Sequence, residues 1–155
     1  MRVSGLALRR AHHQAGWYIA THQLSAMIKT EAYNMRDVHN KLTEGHHVKD
    51  EATMAIVPIL RGGEPMALGI SEALPLARFF HAKHPQDLIL DDGQNTMIDG
   101  CTTVILVDWV INTGKTITEF VRYLRFKLKY QVRIIVVAGV IQNDAADNLK
   151  RALTG

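Results

Sequence analysis

Residues 103–116 read T-V-I-L-V-D-W-V-I-N-T-G-K-T, and they constrain the fold more than any other stretch of the chain. The apolar, β-branched run that ends in Asp108 predicts a buried strand. Small hydroxyl residues and a glycine then predict a turn. Apolar residues return directly afterwards at helical spacing, namely Ile117, Phe120, Val121, Leu124 and Leu128. The segment therefore predicts strand 103–108, a short turn and helix 115–128.

The predicted turn has the chemistry of an anion site. Helix N-termini leave backbone N–H groups unpaired and carry a partial positive charge, so they bind phosphate. Thr113 and Thr116 add hydroxyl donors, and Gly114 lets the backbone approach a ligand closely. Lys115 either contacts the phosphate or points to solvent while its backbone amide binds. Asp108 stands at the edge where open α/β sheets hold their ligands, and it can accept hydrogen bonds from sugar hydroxyls.

Two known motifs compete for this turn. Gly114, Lys115 and Thr116 supply the last three positions of the nucleoside-triphosphate P-loop, G-x-x-x-x-G-K-[ST]. That motif requires glycine where this chain has Trp109, so we reject it. A chance strand–turn–helix would not explain the acid and the hydroxyls together. The pattern of four apolar residues, an acid, two apolar residues and T-G-x-T resembles the phosphoribosyl-diphosphate (PRPP) loop of type I phosphoribosyltransferases.

A second segment carries a matching signal. Residues 54–63 read M-A-I-V-P-I-L-R-G-G, an apolar strand that ends in an arginine and two glycines. Arg61 offers planar, permanently charged donors to a pyrophosphate. Gly62 and Gly63 let backbone amides approach a ligand without obstruction by side chains. The two segments therefore predict one turn for a diphosphate and one for a 5′-phosphate.

At this point the chain resembles the uracil phosphoribosyltransferase family. Residues 57–63 resemble the P-I-L-R-A-G segment of that family, and residues 74–78 resemble its P-S-A-R strand. Residues 108–116 resemble its D-P-M-L-A-T-G-G-T loop. The resemblance extends from about residue 6 to about residue 153, and it is most specific in the two loops.

The resemblance implies PRPP-dependent transfer of a phosphoribosyl group to a pyrimidine base, with uracil converted to UMP in nucleotide salvage. It implies that Asp108 and Arg61 are catalytic, that Mg²⁺ accompanies PRPP, and that the chain forms a homodimer. The PRPP-binding residues expected from it are Arg61, Gly62, Gly63, Asp108, Asn112, Thr113, Gly114, Lys115 and Thr116.

The departures from the family pattern lead to an alternative. Trp109 replaces a proline, and residues 79–101 lack the R-D-E-x-T stretch of the family's long arm. Asn112 stands where purine-salvage relatives carry a catalytic aspartate, and because an asparagine cannot act as a general base, the purine-salvage branch is disfavoured. The sequence up to Gly155 has no match to the P-G-L-G-D segment that reads the pyrimidine ring. The alternative is a catalytically impaired relative that binds PRPP or a nucleotide and serves as a regulatory or assembly partner.

Composition narrows the class of protein further. At 155 residues and 47% hydrophobic content, the chain is predicted to form a single domain, with a helical segment at about 1–50 and an α/β core at about 51–155. A net charge of +3 without a Lys/Arg block suits small anionic ligands and disfavours nucleic acid. One cysteine indicates a reducing, cytoplasmic location, and no apolar run approaches the roughly 18 residues of a membrane span.

Alternating strand and helix patterns predict an α/β fold, with a parallel central sheet covered by helices on both faces. The resemblance implies that this is a type I phosphoribosyltransferase-like, Rossmann-like core. The remaining predicted elements are helix 14–34, a polar connection to residue 53, strand 54–60, helix 64–74, strand 76–81, hairpin 86–98 with its turn at Asp92-Gly93, buried strand 132–141 and helix 143–153. The pairs His12-His13 and His46-His47 are interpreted as solvated rather than metal-binding, and Trp109 as a packing residue.

Overall fold

Four parallel strands form the central sheet of the protein. The computed structural model describes residues 5–89, 97–128 and 132–154. The strands of the sheet are β3 (Met54–Pro58), β4 (Arg78–Phe79), β5 (Thr103–Ile111) and β6 (Arg133–Ile141). They lie in the order β4-β3-β5-β6, and every pairing is parallel. The carboxyl ends of the two central strands, β3 and β5, therefore meet at one edge of the sheet.

Helices cover both faces of this sheet, which confirms the predicted fold class. The helices are α1 (Gly5–Ile19), α2 (Ser25–Met27), α3 (Glu64–Ala73), α4 (Lys115–Lys127) and α5 (Asn143–Thr154). Residues of α1 and α3 share one buried cluster with β3 and β5, whereas residues of α4 and α5 share the cluster on the opposite face. None of the helices within the described ranges is both long and apolar enough to cross a bilayer.

The N-terminal helix differs from its prediction at both ends. It begins at Gly5 rather than residue 14, continues through a π-helical stretch (Ala20–Leu24) into α2, and ends at Met27 rather than residue 34. Residues predicted as its last turns form β1 (Thr30–Arg36) instead. This strand pairs antiparallel with β2 (Leu42–Val48), where a connection without regular structure was predicted.

Local turn chemistry explains why the chain forms a hairpin here. The carboxylate of Asp37 accepts hydrogen bonds from the backbone N–H groups of His39 and Lys41, at 2.9 and 2.8 Å. Asn40 adopts a left-handed conformation with φ of 63°, which asparagine tolerates well. These contacts close the turn and fix the strand register.

The strands of the sheet also depart from prediction at their ends. The predicted strand 76–81 pairs as a ladder at Arg78–Phe79, with one further bridge between Ile59 and Ala82. β5 extends three residues beyond Asp108, to Ile111. β6 has the predicted length but not the predicted burial, because it lies at the edge of the sheet as described and its last three residues are exposed.

The predicted hairpin at 86–98 is not seen at its beginning, where Pro85–Leu88 form a 3₁₀ turn. The side chain of Asp87 accepts the backbone N–H groups of Lys83 and His84, at 2.7 and 2.8 Å, and these bonds lower the pKa of the Asp87 carboxyl. The predicted turn at Asp92-Gly93 lies outside the described residues.

Candidate functional site

The end of β5 directs two successive side chains to opposite sides of the sheet. Asp108 pairs in register with Ala138 of β6, and Val110 and Ile111 continue the same ladder. Because neighbouring residues of a strand face opposite ways, Asp108 and Trp109 diverge. Asp108 points to the edge where β3 also ends, whereas Trp109 packs on the face covered by α1.

Asp108 is held in an environment that disfavours its ionised form. Burial raises the pKa of the Asp108 carboxyl, and the backbone amides of Trp109 and Val110 offset part of this rise by donating hydrogen bonds to it. A β-carbon placed on Gly62 would lie 3.1 Å from Asp108 Oδ1, so the carboxylate and the bend after β3 are neighbours. A carboxylate that has lost hydration in this way is suited to accept hydrogen bonds from a ligand.

The bend at residues 61–63 is fixed against the neighbouring strand. The backbone N–H of Ile59 donates to the Val107 carbonyl at 2.8 Å, and that of Gly63 donates to the Ile59 carbonyl at 3.0 Å. The peptide bond between Leu60 and Arg61 is cis. A β-carbon on Gly63 would lie 2.0 Å from the Val107 carbonyl oxygen, a distance that no side chain tolerates. The Arg61 side chain is exposed at this bend.

The predicted phosphate loop is shorter than expected. β5 runs to Ile111 and α4 begins at Lys115, so residues 112–114 alone form the turn, while Lys115 and Thr116 belong to the first turn of the helix. Gly114 adopts φ of +74° and packs against the side chain of Leu149, whose Cγ would lie 3.3 Å from an added β-carbon. The side chains of Asn112 and Thr113 are exposed.

A cavity of about 170 Å³ connects this turn to Asp108. The hydroxyl of Thr113 accepts a long contact from the Lys115 amide, at 3.4 Å, and the N-terminus of α4 has no side-chain cap. The amides that follow Lys115 in this first turn therefore remain available to an anion. The cavity is lined by Asp108 and by Val110, Ile111, Asn112, Thr113, Gly114, Lys115, Thr116 and Ile117. The structure thus brings all the predicted loop residues to one cavity with Asp108.

Trp109 has a packing role that accounts for its bulk. Its ring stacks on that of His12 in α1, with centroids 3.5 Å apart and an interplanar angle of 18°. A β-carbon on Gly139 would lie 2.5 Å from the indole, so β6 makes room for it. The interpretation of His12 as solvated was wrong, because it is 8% exposed, and burial lowers the pKa of its imidazole. Within the described residues, His12 Nε2 has no hydrogen-bond partner.

One pair of side chains beside the bend was missed by the sequence analysis. His81 Nε2 lies 2.9 Å from Glu64 Oε1, and Glu64 is the first residue of α3. The position of His81 after β4, at the same sheet edge as Arg61, was the signal that would have identified it. The other paired histidines lie elsewhere: His13 contacts Glu72, His46 contacts Glu44, and His47 contacts Glu31.

The sheet edge offers a carboxylate that could hold a magnesium ion only together with oxygens from a bound phosphate. Across residues 5–89, 97–128 and 132–154, no three His, Cys, Asp or Glu side chains converge as a metal cluster. Mg²⁺ is commonly held by one or two carboxylates together with substrate phosphates. Asp108, half-buried and beside the bend, is the carboxylate available for such an ion.

Comparisons with known proteins identify the family of the chain and support its fold. The model of the uracil phosphoribosyltransferase family matches residues 1–154, which confirms the resemblance drawn from the sequence. A search of curated proteins found no match. Among solved structures, the AQ2163 protein of Aquifex aeolicus is 18% identical at a TM-score of 0.72, with 98% of this chain and 73% of that chain covered.

Two further solved structures are less similar. The xanthine-guanine-hypoxanthine phosphoribosyltransferase of Helicobacter pylori is 18% identical, with a TM-score of 0.47 and 59% of each chain aligned. The orotate phosphoribosyltransferase of Aeropyrum pernix is 14% identical, covers 89% of each chain and has the same TM-score. At these values the family assignment depends on the match to the family model and not on the two structures.

Proposed function

Because the chain belongs to the uracil phosphoribosyltransferase family, we propose that it transfers a phosphoribosyl group from PRPP to a pyrimidine base. Phosphoribosyl transfer to a base is the class of reaction that the family supports. Uracil as the acceptor and UMP as the product are the specific form of the proposal. A homodimer in the cytoplasm belongs to the same proposal, and sedimentation of the purified chain would test the dimer.

The 5′-phosphate of PRPP binds, in this proposal, at the N-terminus of α4. The uncapped amides and the hydroxyls of Thr113 and Thr116 supply its donors. Lys115 supports this placement because its positive charge lies in the first turn of the helix, where the partial positive charge of the helix N-terminus makes it unfavourable without an anion nearby. A bound phosphate would neutralise both the lysine and the partial positive charge of the helix end.

Asp108 accepts hydrogen bonds from the ribose hydroxyls. Its carboxylate lines the same cavity as the phosphate turn and is partly desolvated. A ligand hydroxyl would replace hydration that the folded protein has removed, so ribose binding stabilises the ionised form. This carboxylate needs to hold the sugar and does not need to remove a proton from it.

The diphosphate lies along the bend at residues 61–63. Arg61 supplies a bidentate guanidinium, and exposed Gly62 presents backbone to the ligand beside Asp108, while buried Gly63 holds the bend against β5. Mg²⁺, when bound with PRPP, would neutralise charge on the diphosphate through Asp108 and phosphate oxygens. The guanidinium of Arg61 stabilises the negative charge that develops on the diphosphate as it leaves.

The reaction is a substitution at the anomeric carbon. The bond from C1′ to the diphosphate oxygen breaks, and the electron pair leaves with diphosphate. A ring nitrogen of the base forms the new bond to C1′, and the proton of that nitrogen is released. Positioning by Asp108 and the phosphate turn, together with charge stabilisation by Arg61, supplies the catalysis.

The observation that carries the proposal is the proximity of Gly62 to Asp108, because a β-carbon placed on Gly62 would lie 3.1 Å from Asp108 Oδ1 and the two turns therefore flank one carboxylate. We expect calorimetry to detect PRPP binding with Mg²⁺, and Asp108→Asn to weaken it at least about 10-fold. Asp147→Asn, an exposed change on α5, serves as the matched control. Equal PRPP affinity in wild type and Asp108→Asn would contradict the assignment. Conversion of uracil to UMP tests the specific reaction.

The second candidate function is a relative that binds PRPP or a nucleotide without turnover and acts as a regulatory or assembly partner. The observation that favours it is the size of the cavity, about 170 Å³, with walls from the single segment 108–117. Pockets for whole small-molecule ligands commonly measure about 300 to 1,000 Å³. PRPP binding in calorimetry without formation of UMP, or of any other nucleotide from a panel of bases, would select this candidate.

A further inference from the structure

His81 and Glu64 form a pair beside the bend. The pair lies on the β4 side of β3, whereas Asp108 lies on β5, on the other side of β3. Glu64 directly follows Arg61-Gly62-Gly63, and its backbone N–H contacts the Arg61 carbonyl at 3.4 Å. His81 precedes Ala82, whose carbonyl accepts the backbone N–H of Leu60 at 2.9 Å. The bend is therefore enclosed by a carboxylate on β5 and by an imidazole–carboxylate pair between the end of β4 and α3.

The ring of His81 is held in one orientation by two contacts. Its Nε2 lies 2.9 Å from Glu64 Oε1, and its ring makes an edge-on contact with Phe79 at 5.1 Å between centroids. With Nε2 directed to Glu64, Nδ1 is the nitrogen left to meet a ligand. The side chains remain accessible, since that of His81 is 50% exposed and that of Glu64 is 43% exposed.

A purely structural role explains this pair poorly. Ion pairs with this degree of exposure contribute little to stability, typically between zero and about 1 kcal/mol. A comparable pair stands on the hairpin, where His47 Nε2 lies 3.1 Å from Glu31 Oε1 with similar exposure. The difference between the two pairs is their place: one flanks the bend with Arg61, and the other lies on β1 and β2.

We propose that His81 is a further substrate-binding residue, which donates a hydrogen bond from Nδ1 to the diphosphate of PRPP while Glu64 orients its ring. This inference depends on the proposed function, because it assumes that the diphosphate lies at residues 61–63. In this arrangement the ring donates from Nε2 to the Glu64 carboxylate and from Nδ1 to the diphosphate. The diphosphate is then held by Arg61 from one side and by His81 from the other.

Calorimetry with three probes in the presence of Mg²⁺ tests the inference: PRPP, inorganic pyrophosphate and ribose 5-phosphate. We expect His81→Ala to weaken the binding of PRPP and of pyrophosphate about 5- to 10-fold and to leave the binding of ribose 5-phosphate unchanged. This pattern is expected because the charge-assisted hydrogen bond is made to the diphosphate alone. If the variant is active, the KM for PRPP rises while the KM for the base stays constant.

Two conservative variants separate contact from orientation. The amide of His81→Asn can replace the Nδ1 donor, whereas that of His81→Gln replaces Nε2. We therefore expect His81→Asn to retain more pyrophosphate affinity than His81→Gln. Glu64→Gln keeps a hydrogen-bond acceptor for the ring but removes the charge, and we expect an intermediate loss. Should His81→Ala fail to fold, the comparison of Asn, Gln and Glu64→Gln still decides the question.

The control is His47→Ala, which removes the matched pair on the hairpin and should leave all three affinities unchanged. If wild type binds PRPP and Asp108→Asn weakens it, but His81→Ala binds pyrophosphate as wild type does, the inference about His81 is wrong and the proposed function stands. Failure of wild type to bind PRPP would overturn both. Equal losses for all three probes would also reject His81 as a diphosphate residue.

Discussion

The two turns that meet at Asp108 are built in different ways. The bend at residues 61–63 is pressed against the backbone of β5, and Gly63 has the Val107 carbonyl where a side chain would begin. The turn at residues 112–114 contacts its surroundings through a side chain, because Gly114 packs on Leu149 of α5. The bend at residues 61–63 is therefore fixed by a contact with main chain. The turn at residues 112–114 is held by the positive φ of Gly114 and by contact with a side chain that can move.

This difference indicates a division of roles between the turns. A backbone carbonyl within β5 cannot move without disturbing the sheet, so the bend holds its shape before any ligand arrives. The side chain of Leu149 can change rotamer, so the phosphate turn can adjust by small amounts. Under the proposed function, a preformed bend would suit the leaving diphosphate, whose charge must be stabilised as it develops, and an adjustable turn would be sufficient for the unreactive 5′-phosphate.

Gly63→Ala gives the largest expected effect and tests the rigidity of the bend. The added methyl would lie 2.0 Å from the Val107 carbonyl oxygen, so the backbone of β3 or β5 must shift. We expect the free energy of unfolding to fall by at least about 2 kcal/mol, measured by urea denaturation, and PRPP binding to be lost.

Gly62→Ala is the matched control for this change. Its methyl would contact Asp108 Oδ1 at 3.1 Å rather than a backbone carbonyl. We expect a loss in stability of about 0.5 kcal/mol or less, together with weaker PRPP binding. Similar unfolding free energies for the two alanine variants would show that the bend is not fixed by β5.

Gly114→Ala tests the phosphate turn and should have a smaller effect. Alanine is strained at φ of +74°, and its methyl would press on Leu149 at 3.3 Å, a contact that a rotamer change can relieve. We expect a loss of about 1 kcal/mol in the free energy of unfolding. Gly114→Asn, which tolerates this conformation better, should lose less. If Gly114→Ala is as damaging as Gly63→Ala, the proposed difference between the turns is wrong.

Much of the sheet and its edge follows from the sequence because the determining signals are local. The β-branched runs before Asp108 and Arg61 predicted two buried strands, and both pair in parallel at the centre of the sheet. Helix 143–153 was predicted within one residue of α5. The carboxyl ends of parallel strands lie at one edge of the sheet, so the proximity of the bend at residues 61–63 to Asp108 could be anticipated.

What the sequence did not predict depends on contacts between distant residues. The stack of His12 on Trp109 joins α1 to β5, and the pair of His81 with Glu64 joins β4 to α3. The spacing along the chain reveals neither contact, and the one signal was the position of His81 after β4, at the sheet edge that carries Arg61. The exposure of β6 depends on its position at the sheet edge, which hydrophobicity along the strand does not reveal. The predicted helix 14–34 was wrong at its end because the turn bonds of Asp37 favoured a hairpin.

The smallest expected effect concerns His12, which supports β5 between the two turns through its stack on Trp109. Burial lowers the pKa of His12 below its usual value of 6.5, so the unfolded chain takes up a proton there more readily than the folded chain does. The stability that this group contributes is fully present above about pH 6.5 and is lost as the pH falls below it.

We therefore expect wild type to lose more unfolding free energy between about pH 7.5 and 5.5 than His12→Phe, which keeps an aromatic ring on Trp109 but cannot titrate. The other histidines are common to both proteins, so their titration cancels in the difference measured by urea denaturation. An identical pH dependence for the two proteins would mean that His12 is not held neutral beneath the strand that carries Asp108.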